Sequence, residues 1–384
     1  MRPENLPDIV FPIWRSFLQR RSQRLMCALV ALAVPAVTVA AVPAAAAPEL
    51  AIGPTTVKAP RKCRDARDIT RPLALTVEGE VATGSYALPQ EKPQALVVYG
   101  HGYGHTSDSW ADHMTWTARK LGAVAVAMDY RGLNILEEDD DNDGLRDSTG
   151  WPVMAGAEDM IAIAQHFQEL CDSIEQTIIF GVSMGGNSTG LSVALANGLK
   201  SATGGPLFDY WIDVEGAVNV IETYQGARAL APFNAFAAQA QADIEEEMGG
   251  SFETASDAYR EHCVVCRVGD IAASGVKGVV VVHGVDDGLV PYNQGREMML
   301  ALRAEQIPIH MYTVGVKKTD GDRDTSATGY VGGAIDESYN SPLAGHASET
   351  SWTHPVMATA FEALRAILND GTVVEDGETP VNEI

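Results

Sequence analysis

Short hydrophobic runs alternate with longer amphipathic stretches along most of the chain. Short apolar runs that end near Gly, Asp or Pro are typical of buried strands, whereas the longer stretches have helical spacing. Strand and helix alternate from residue 95 onward, which predicts a mostly parallel sheet with helices on both faces. The predicted strands cover residues 73–80, 82–88, 95–99, 123–128, 177–180, 210–214, 276–282 and 307–314, and the predicted helices cover residues 110–121, 154–170, 185–199, 292–305 and 354–368.

One stretch interrupts this alternation. Residues 218–262 have helical spacing and many acidic positions, and they precede the valine-rich strand 276–282. Ligand sites of such sheets lie at the carboxyl ends of the strands, so an insertion between two strands can cover the site. We therefore predict one α/β domain over residues 47–369, with 218–262 as a helical cap, followed by an acidic flexible tail over residues 370–384.

The N-terminal residues form a separate segment. Four arginines between residues 15 and 24 precede an apolar stretch over residues 25–42, and small residues follow at 44–47. These are the three parts of a secretory signal. The apolar stretch is broken by Pro35 and is marginal for a bilayer, which needs roughly 20 residues. The pattern predicts a signal peptide over residues 1–46 and a secreted protein with no stable membrane insertion; an uncleaved anchor is the alternative.

Cysteine usage agrees with export. Four of the five cysteines lie outside the predicted signal, namely Cys63, Cys171, Cys263 and Cys266. An even number in an exported chain predicts two disulfides, with three pairings open. A zinc site is the alternative, but the two paired C-x-x-C units that would favour it are absent.

The charge balance narrows the class of partner. The chain has a formal net charge of −24, and such a surface repels nucleic acid and anionic lipid. We therefore predict a neutral or cationic substrate, small or polymeric, and no nucleic-acid partner. The sequence carries no signal for an oligomeric state.

A glycine-flanked serine lies between a predicted strand and a predicted helix, in Gly181-Val182-Ser183-Met184-Gly185. A very tight strand–turn–helix connection exposes the serine hydroxyl above the sheet and needs glycine on both sides. The helix N-terminus behind the serine favours developing negative charge. Ser183 is therefore the candidate nucleophile for acyl transfer, and a structural Gly-rich corner is the alternative.

A serine hydroxyl becomes nucleophilic when a histidine takes its proton, and an acid orients that histidine. In a fold with this serine turn, the acid and then the histidine follow the serine along the chain. Asp286 and Asp287 follow the valine-rich strand, and either of them can supply the acid; both can also be turn residues. The choice between them stays open on the residues alone.

Three downstream histidines can supply the base. His310 falls within a predicted strand, which favours a packed side chain. His354 begins the last predicted helix beside Pro355 and can serve that helix terminus. His346 lies in a small-residue loop ahead of the helix, so it is preferred over His354.

Acyl transfer also needs two backbone N–H groups that face the developing oxyanion. One should belong to Met184, directly after the nucleophile. The other should come from the loop after strand 95–99, where we assign it to Tyr103. His101 and His283 are each followed by Gly at a strand end, and we interpret both as residues that shape loops.

Four motifs in this order resemble the α/β-hydrolase superfamily, in its prolyl-oligopeptidase-like and dienelactone-hydrolase-like branch. The resemblance covers residues 95–369 and implies the α/β-hydrolase fold. Its pattern His-Gly-x-x-Asp-x-x-Val-Pro implies that the acid is Asp287, and a histidine after glycine implies His346. The motifs are His101-Gly102-Tyr103-Gly104, Asp129-Tyr130-Arg131-Gly132, Gly181-Val182-Ser183-Met184-Gly185-Gly186 and His283-Gly284-Val285-Asp286-Asp287-Gly288-Leu289-Val290-Pro291.

The resemblance has two departures and one extension. About 58 residues separate Asp287 from His346, more than is usual in the family. No β-propeller pattern precedes the matched part, so gated oligopeptide cleavage is not expected. The pair Tyr103 and Met184 is also similar to the oxyanion pair of secreted polyester hydrolases and cutinases.

Together these expectations give a secreted serine hydrolase that cleaves carboxylic esters through an acyl-enzyme and requires no cofactor for catalysis. A peptidase acting on short peptides is the enzymatic alternative. A catalytically inactive hydrolase fold used for binding is the alternative from another class.

A second signal lies in the acidic loop over residues 137–147. Alternating oxygen ligands around a glycine turn suit Ca²⁺. Gly150 stands where a bidentate Glu would complete the pattern, which weakens affinity or requires a ligand from elsewhere. The loop predicts a structural calcium ion, and a solvated acidic loop is the alternative. The candidate ligands are Asp139, Asp141, Asp143, the carbonyl of Leu145, and Asp147.

Overall fold

Strands and helices follow each other in the predicted order in the computed structural model, which describes residues 58–136, 145–285, 287–315, 345–371 and 373–381. The predicted signal peptide lies outside these residues. The strands are Arg71–Val77 (β1), Glu80–Ala87 (β2), Ala95–Gly100 (β3), Val124–Met128 (β4), Asn134–Ile135 (β5), Ser148–Thr149 (β6), Gln176–Val182 (β7), Tyr210–Val214 (β8), Gly278–Gly284 (β9), Ile309–Val314 (β10) and Gly377–Val381 (β11).

Nine of these strands form one sheet in the order β1-β2-β4-β3-β7-β8-β9-β10-β11. The pairs β1–β2 and β2–β4 are antiparallel, and all other neighbours in the sheet are parallel. The short strands β5 and β6 form a separate antiparallel pair. The mostly parallel sheet of the α/β-hydrolase fold is thus confirmed.

The central strands are apolar on both faces. In β3, Leu96 and Val98 join one hydrophobic cluster, whereas Val97 and Tyr99 join a second one. Because successive side chains of a strand point to opposite faces, a continuous apolar run buries both faces of the sheet. Helices cover the two faces accordingly.

The helices of the described residues also follow the prediction closely. Three short helical turns accompany them, at Ser107–Trp110, Thr117–Leu121 and Val265–Arg267. None of the described helices is both long and apolar enough to cross a membrane. The α-helices are Ala111–Trp116 (α1), Val153–Leu170 (α2), Met184–Leu195 (α3), Val220–Leu230 (α4), Ala235–Met248 (α5), Ser256–Glu261 (α6), Val268–Ser274 (α7), Asn293–Ala304 (α8) and Pro355–Asn369 (α9).

The predicted insertion is helical. Helices α4, α5 and α6 lie between β8 and β9 in the chain. Asn219 and Asn234 accept hydrogen bonds from the first-turn amides of α4 and α5, which satisfies donors that a helix leaves free. Gly249 ends α5 with φ 76°, a left-handed conformation that glycine adopts without strain.

The acidic tail differs from the prediction. We predicted a flexible segment from residue 370, but β11 pairs in parallel with β10. Asp376 accepts a hydrogen bond from the Ile309 amide at 3.0 Å, and Glu378 forms an ion pair with Arg303 at 2.8 Å. The tail also contains Pro380, which an edge strand tolerates because one of its sides needs no ladder donor. The acidic composition of the segment thus favoured a loose tail, although the segment forms an edge strand.

Both predicted disulfides are present, and the pairing is Cys63–Cys171 and Cys263–Cys266. The first bond joins the segment before β1 to the end of α2, across a sequence separation of 108 residues. The second closes a separation of three residues ahead of α7. The two bonds therefore constrain the unfolded chain to very different extents.

We expect loss of the long-range disulfide to destabilise the protein more than loss of the short one. The chain-entropy relation gives about 4–5 kcal/mol for a loop of this length and less than about 2 kcal/mol for a three-residue loop. Equilibrium urea unfolding of Cys63→Ser/Cys171→Ser measures the first loss, with Cys263→Ser/Cys266→Ser as the matched control. Equal losses in the two double variants would contradict the expectation.

Candidate active site

The serine turn lies where β7 meets α3. Ser183 has φ 58° and ψ −122°, a conformation that a residue with a side chain adopts only at a cost of about 1–3 kcal/mol. Its amide donates to the Val214 carbonyl at 3.0 Å, and its carbonyl accepts from the Gly186 amide at 2.9 Å. These bonds to β8 and to α3 hold the strained residue in place.

Glycines permit this turn because strand and helix approach closely. A Cβ atom on Gly181 would collide with the carbonyl oxygen of Gly185, and a Cβ atom on Gly185 would collide with that of Gly100. Gly100 and Gly181 are also paired in register across β3 and β7. The sequence motif is therefore a steric requirement of this one corner.

Asp287 and His346 form the hydrogen-bonded pair that the sequence predicted. Nδ1 of His346 lies 2.8 Å from Oδ2 of Asp287. Oδ1 of Asp287 accepts from the amides of Leu289 and Val290 at 2.8 and 2.9 Å. With its proton on Nδ1, His346 keeps Nε2 as an acceptor, and this buried nitrogen has no hydrogen bond within the described residues. That arrangement suits a general base.

The carboxyl group of Asp287 is held in its ionised form. Burial disfavours the charge, yet the neighbouring His346 and the hydrogen bonds from the two histidines, His283 and His346, lower its pKa below the ordinary value. His283 contributes from 3.5 Å through Nε2, which also lies 2.9 Å from the Val290 carbonyl oxygen. His283 thus shapes the acid loop, as the sequence indicated.

A second carboxyl group, which the sequence analysis did not identify, lies beside this pair. Glu215 follows β8 directly, is fully buried, and places Oε2 at 3.5 Å from Nδ1 of His346. Burial and the charge of Asp287 raise the pKa of Glu215 well above its ordinary value, although two backbone hydrogen bonds oppose the shift. An acidic residue at the carboxyl end of a predicted strand was the signal available in the sequence.

The other candidates have different roles. His354 accepts a hydrogen bond from the Val356 amide at 3.3 Å and caps α9. His310 lies in β10, with Nε2 at 2.8 Å from the Thr379 hydroxyl oxygen. His101 is buried and stacks on Tyr130. Asp286 lies outside the described residues.

The two predicted oxyanion donors leave the same edge of the sheet. Met184 begins α3, and the first amides of a helix have no acceptor within the helix. Tyr103 lies in the loop after β3, the strand that pairs with β7. Loops after adjacent parallel strands leave the sheet at one edge, so Tyr103 and Met184 follow strands that end at the same edge as Ser183.

Glu349 anchors the loop of Tyr103, and no sequence motif marks this residue. Its Oε1 accepts from the Gly102 amide at 2.8 Å and the Ser109 hydroxyl at 3.1 Å, and lies 2.6 Å from Nδ1 of His105. Burial opposes ionisation, but the charge of His105 and these hydrogen bonds lower the pKa of Glu349 to about 2. The loop of His346 is therefore tied to the loop after β3. We call the latter the oxyanion loop, because it carries the predicted oxyanion donor Tyr103.

The side chain of Tyr103 points towards the insertion. Its ring lies 5.7 Å from that of Trp151 and 5.5 Å from that of Phe236 on α5. Its hydroxyl donates to Asp243, whose Oδ2 also accepts from the Gly150 amide at 2.9 Å. Helix α5 is thus bonded to the oxyanion loop.

Only part of the predicted calcium site lies within the described residues. Of the predicted calcium ligands, Asp139, Asp141 and Asp143 lie outside the described residues. Leu145 and Asp147 are described, and the Asp147 carbonyl oxygen accepts from the Leu136 amide at 2.9 Å. Ligand atoms of Glu215, Asp287 and His346 lie within 4.8 Å of one another, but these atoms already form the hydrogen bonds of the site. The calcium site stays a prediction.

Known proteins share this fold. The family model "Prolyl oligopeptidase family" matches residues 109–317, more than half of the chain. No curated protein matches. An acylaminoacyl peptidase in complex with Z-Gly-Gly-Phe-chloromethyl ketone has a TM-score of 0.50 at 15% identity, and the match covers 80% of this chain and 42% of that one.

Two further solved structures are similar. The uncomplexed acylaminoacyl peptidase of Pyrococcus horikoshii has a TM-score of 0.49 at 16% identity, over 76% of this chain and 41% of that one. The hyperthermophilic esterase of Pyrobaculum calidifontis has a TM-score of 0.44 at 16% identity, over 64% of this chain and 75% of that one. This chain spans about two fifths of the length of these peptidases. On the family match, the chain belongs to the prolyl oligopeptidase family of serine hydrolases.

Proposed function

We propose that this serine hydrolase cleaves carboxylic esters, with Ser183 as nucleophile, His346 as general base and Asp287 as the acid that orients the base. The proposal depends on the hydrogen bond of 2.8 Å between Asp287 and Nδ1 of His346. With its proton held on Nδ1, the buried histidine has Nε2 available as a base, and this nitrogen has no hydrogen bond among the described residues. The strained turn at Ser183 supports it.

The reaction has two acyl-transfer steps. Nε2 of His346 takes the Ser183 proton while Oγ bonds to the substrate carbonyl carbon, and the amides of Met184 and Tyr103 hold the oxyanion. His346 then gives its proton to the leaving alcohol oxygen as the ester C–O bond breaks. Water, deprotonated by His346, then attacks the carbonyl carbon of the acyl-enzyme. The bond from that carbon to Ser183 Oγ breaks, Oγ takes the proton back from His346, and the carboxylic acid is released. Asp287 stabilises the imidazolium in both steps.

Apolar surface on the insertion favours an ester with an apolar group. Phe233 and Leu230 in and before the α4–α5 connection are 88% and 56% exposed, and Phe236 on the same insertion contacts Tyr103. Exposed aromatic and aliphatic surface of this kind suits an acyl or aryl chain, because desolvation of such a chain contributes binding energy. Cleavage of short peptides is the second candidate, since the peptidase structures named above have this fold.

Export and the further partners belong to the same proposal. The pattern over residues 1–46 and the two disulfides support a secreted protein. The net charge of −24 supports a neutral or cationic substrate rather than nucleic acid. The acidic sequence over residues 137–147 supports a structural calcium ion, and no cofactor takes part in the proposed chemistry.

We expect Ser183→Ala to abolish turnover. The loss of a nucleophile that acts as a unit with its base can reach about 10⁶-fold in kcat. Hydrolysis of p-nitrophenyl butyrate measures kcat, and a fluorophosphonate probe should label the wild-type protein but not the variant. A wild-type protein that the probe leaves unlabelled would favour the inactive binding fold, and a variant that keeps its turnover would refute the assignment of Ser183.

The two histidines should separate cleanly by kinetics. His346→Ala removes the base, so kcat should fall by at least about 10³-fold. His354→Ala is the matched control, because it removes the capping bond on α9 and should cost about 1 kcal/mol of stability with kcat nearly unchanged. Steady-state kinetics and urea unfolding of both variants test this. The opposite pattern would identify His354 as the base.

The substrate class should be visible in how kcat/KM depends on the leaving group and on the length of the acyl chain. A panel of p-nitrophenyl esters of rising acyl length, beside aminoacyl-p-nitroanilides, should give higher kcat/KM for the esters. Phe233→Ser should raise KM for the long acyl chains more than for acetate, since a long chain has more apolar surface for the exposed ring to contact. Higher kcat/KM for the anilides would identify a peptidase instead.

A further inference from the structure

The backbone at Glu215 has a conformation that must be held by its neighbours. It follows β8 with φ 48°, a left-handed conformation that a glutamate adopts only under constraint. Its amide donates to the Val282 carbonyl at 2.9 Å, so the residue is locked between β8 and β9. Its side chain is fully buried, which is rare for glutamate unless the carboxyl group is paired.

The carboxyl group joins the two segments that carry the acid and the base. Oε1 accepts from the Gly284 amide at 3.0 Å, at the end of β9, three residues before Asp287. Oε2 accepts from the Ala347 amide at 2.6 Å, directly after His346. One side chain thus fixes the distance between the strand before the acid and the loop of the histidine.

Two carboxyl groups face the same imidazole nitrogen. Asp287 lies 2.8 Å from Nδ1 of His346, and Glu215 lies 3.5 Å from it. Two buried carboxylates at such a site repel each other, so one of them is protonated more readily. Both carboxyl groups accept from two backbone amides, but Asp287 lies closer to His346 and also has His283 at 3.5 Å, so the proton belongs to Glu215.

We propose that Glu215 is a positioning residue for His346 and the reserve acceptor for its Nδ1 proton when Asp287 loses its charge. This inference rests on the proposed function of His346 as the base. In the intact protein, Glu215 holds the histidine loop against β9 while Asp287 orients the ring. Without the Asp287 charge, Glu215 ionises more readily and its Oε2 needs to move less than 1 Å to reach hydrogen-bond distance of Nδ1.

The ionisation of Glu215 depends on the titratable groups that face it. They are Asp287 and His346 in the site, Asp213 on β8, and His283 behind Asp287. Neither side-chain oxygen of Asp213 has a hydrogen bond among the described residues, and burial raises its pKa to about 7. It is therefore a matched control: a buried carboxyl group two residues away that binds neither loop.

A double-mutant cycle tests the proposal. Where no reserve exists, loss of the orienting acid lowers kcat by about 10⁴-fold. We expect Asp287→Asn to lower kcat by only about 10- to 100-fold, and Asp287→Asn/Glu215→Gln to lower it by the full ~10⁴-fold. Glu215→Gln alone should lower kcat about 10-fold with KM unchanged, because one of its two backbone bonds is lost. Asp213→Asn should act multiplicatively in the same cycle.

The pH profile separates the reserve role from a merely structural one. The activity of Asp287→Asn, taken relative to the wild-type protein at each pH, should rise with pH as Glu215 ionises. A wild-type protein whose Asp287 is already ionised has no such dependence on Glu215. This measurement needs only the single variant, so it remains available where the Glu215 substitution prevents folding.

Two results would overturn the proposal: multiplicative effects of Asp287→Asn and Glu215→Gln, or an Asp287→Asn variant whose relative activity is independent of pH. Neither would affect the role of Ser183, which fluorophosphonate labelling of the wild-type protein and Ser183→Ala reports independently.

Discussion

The site depends on keeping negative charge inside an apolar sheet edge. An ionised carboxylate without partners is strongly disfavoured in such surroundings. Asp287 remains ionised because two amides and His346 meet its oxygens, and Glu349 does so because Gly102, Ser109 and His105 meet one of its own. Each buried charge therefore selects one arrangement of the loops around it.

This constraint explains why the loops that carry His346 and Tyr103 are fixed relative to each other. Glu349 follows His346 by three residues. It nevertheless accepts from the Gly102 amide in the loop of Tyr103, at a sequence separation of 247 residues. Glu215 binds the residue after His346 across 132 positions. The histidine loop is thus held from both sides by buried carboxyl groups, one ionised and one with a raised pKa. Pre-organisation of this kind is what an acyl-transfer site requires.

Much of the architecture was accessible from hydrophobic pattern. The buried runs of β3, β4 and β9 leave no amphipathic strand or helix as an alternative. The glycines around Ser183 are required because a larger residue would collide with the backbone of the turn. His346 was predicted from its loop position and from the family resemblance, whereas the choice of Asp287 over Asp286 came from the resemblance alone. The buried runs and the glycine turn are local features, so the sequence determines them without knowledge of distant contacts.

Features that depend on distant partners could not be predicted in the same way. The strand β11 is short and acidic, and only its pairing with β10 distinguishes it from a loose tail. Glu215 and Glu349 are single acidic residues whose partners are backbone amides, which have no signature in sequence. The disulfide pairing likewise follows from the approach of residues 108 positions apart.

The insertion shows how substrate preference and chemistry are connected on this scaffold. Asp243 on α5 accepts from the hydroxyl of Tyr103 and from the Gly150 amide, and Glu247 on the same helix accepts from the Met154 amide at 3.3 Å. These bonds reach the oxyanion loop and the start of α2, whereas the bonds of His346 run to β8 and β9. The proposed base and acid are therefore positioned by residues that follow strands of the sheet, and the predicted oxyanion donor Tyr103 is positioned partly by the insertion. Changes in α4 and α5 can reshape the apolar surface around Phe233 without touching Asp287 or His346, but a change at Asp243 alters the loop of the predicted oxyanion donor. On the proposed function, substrate choice can therefore vary at one end of the insertion and is coupled to catalysis at the other.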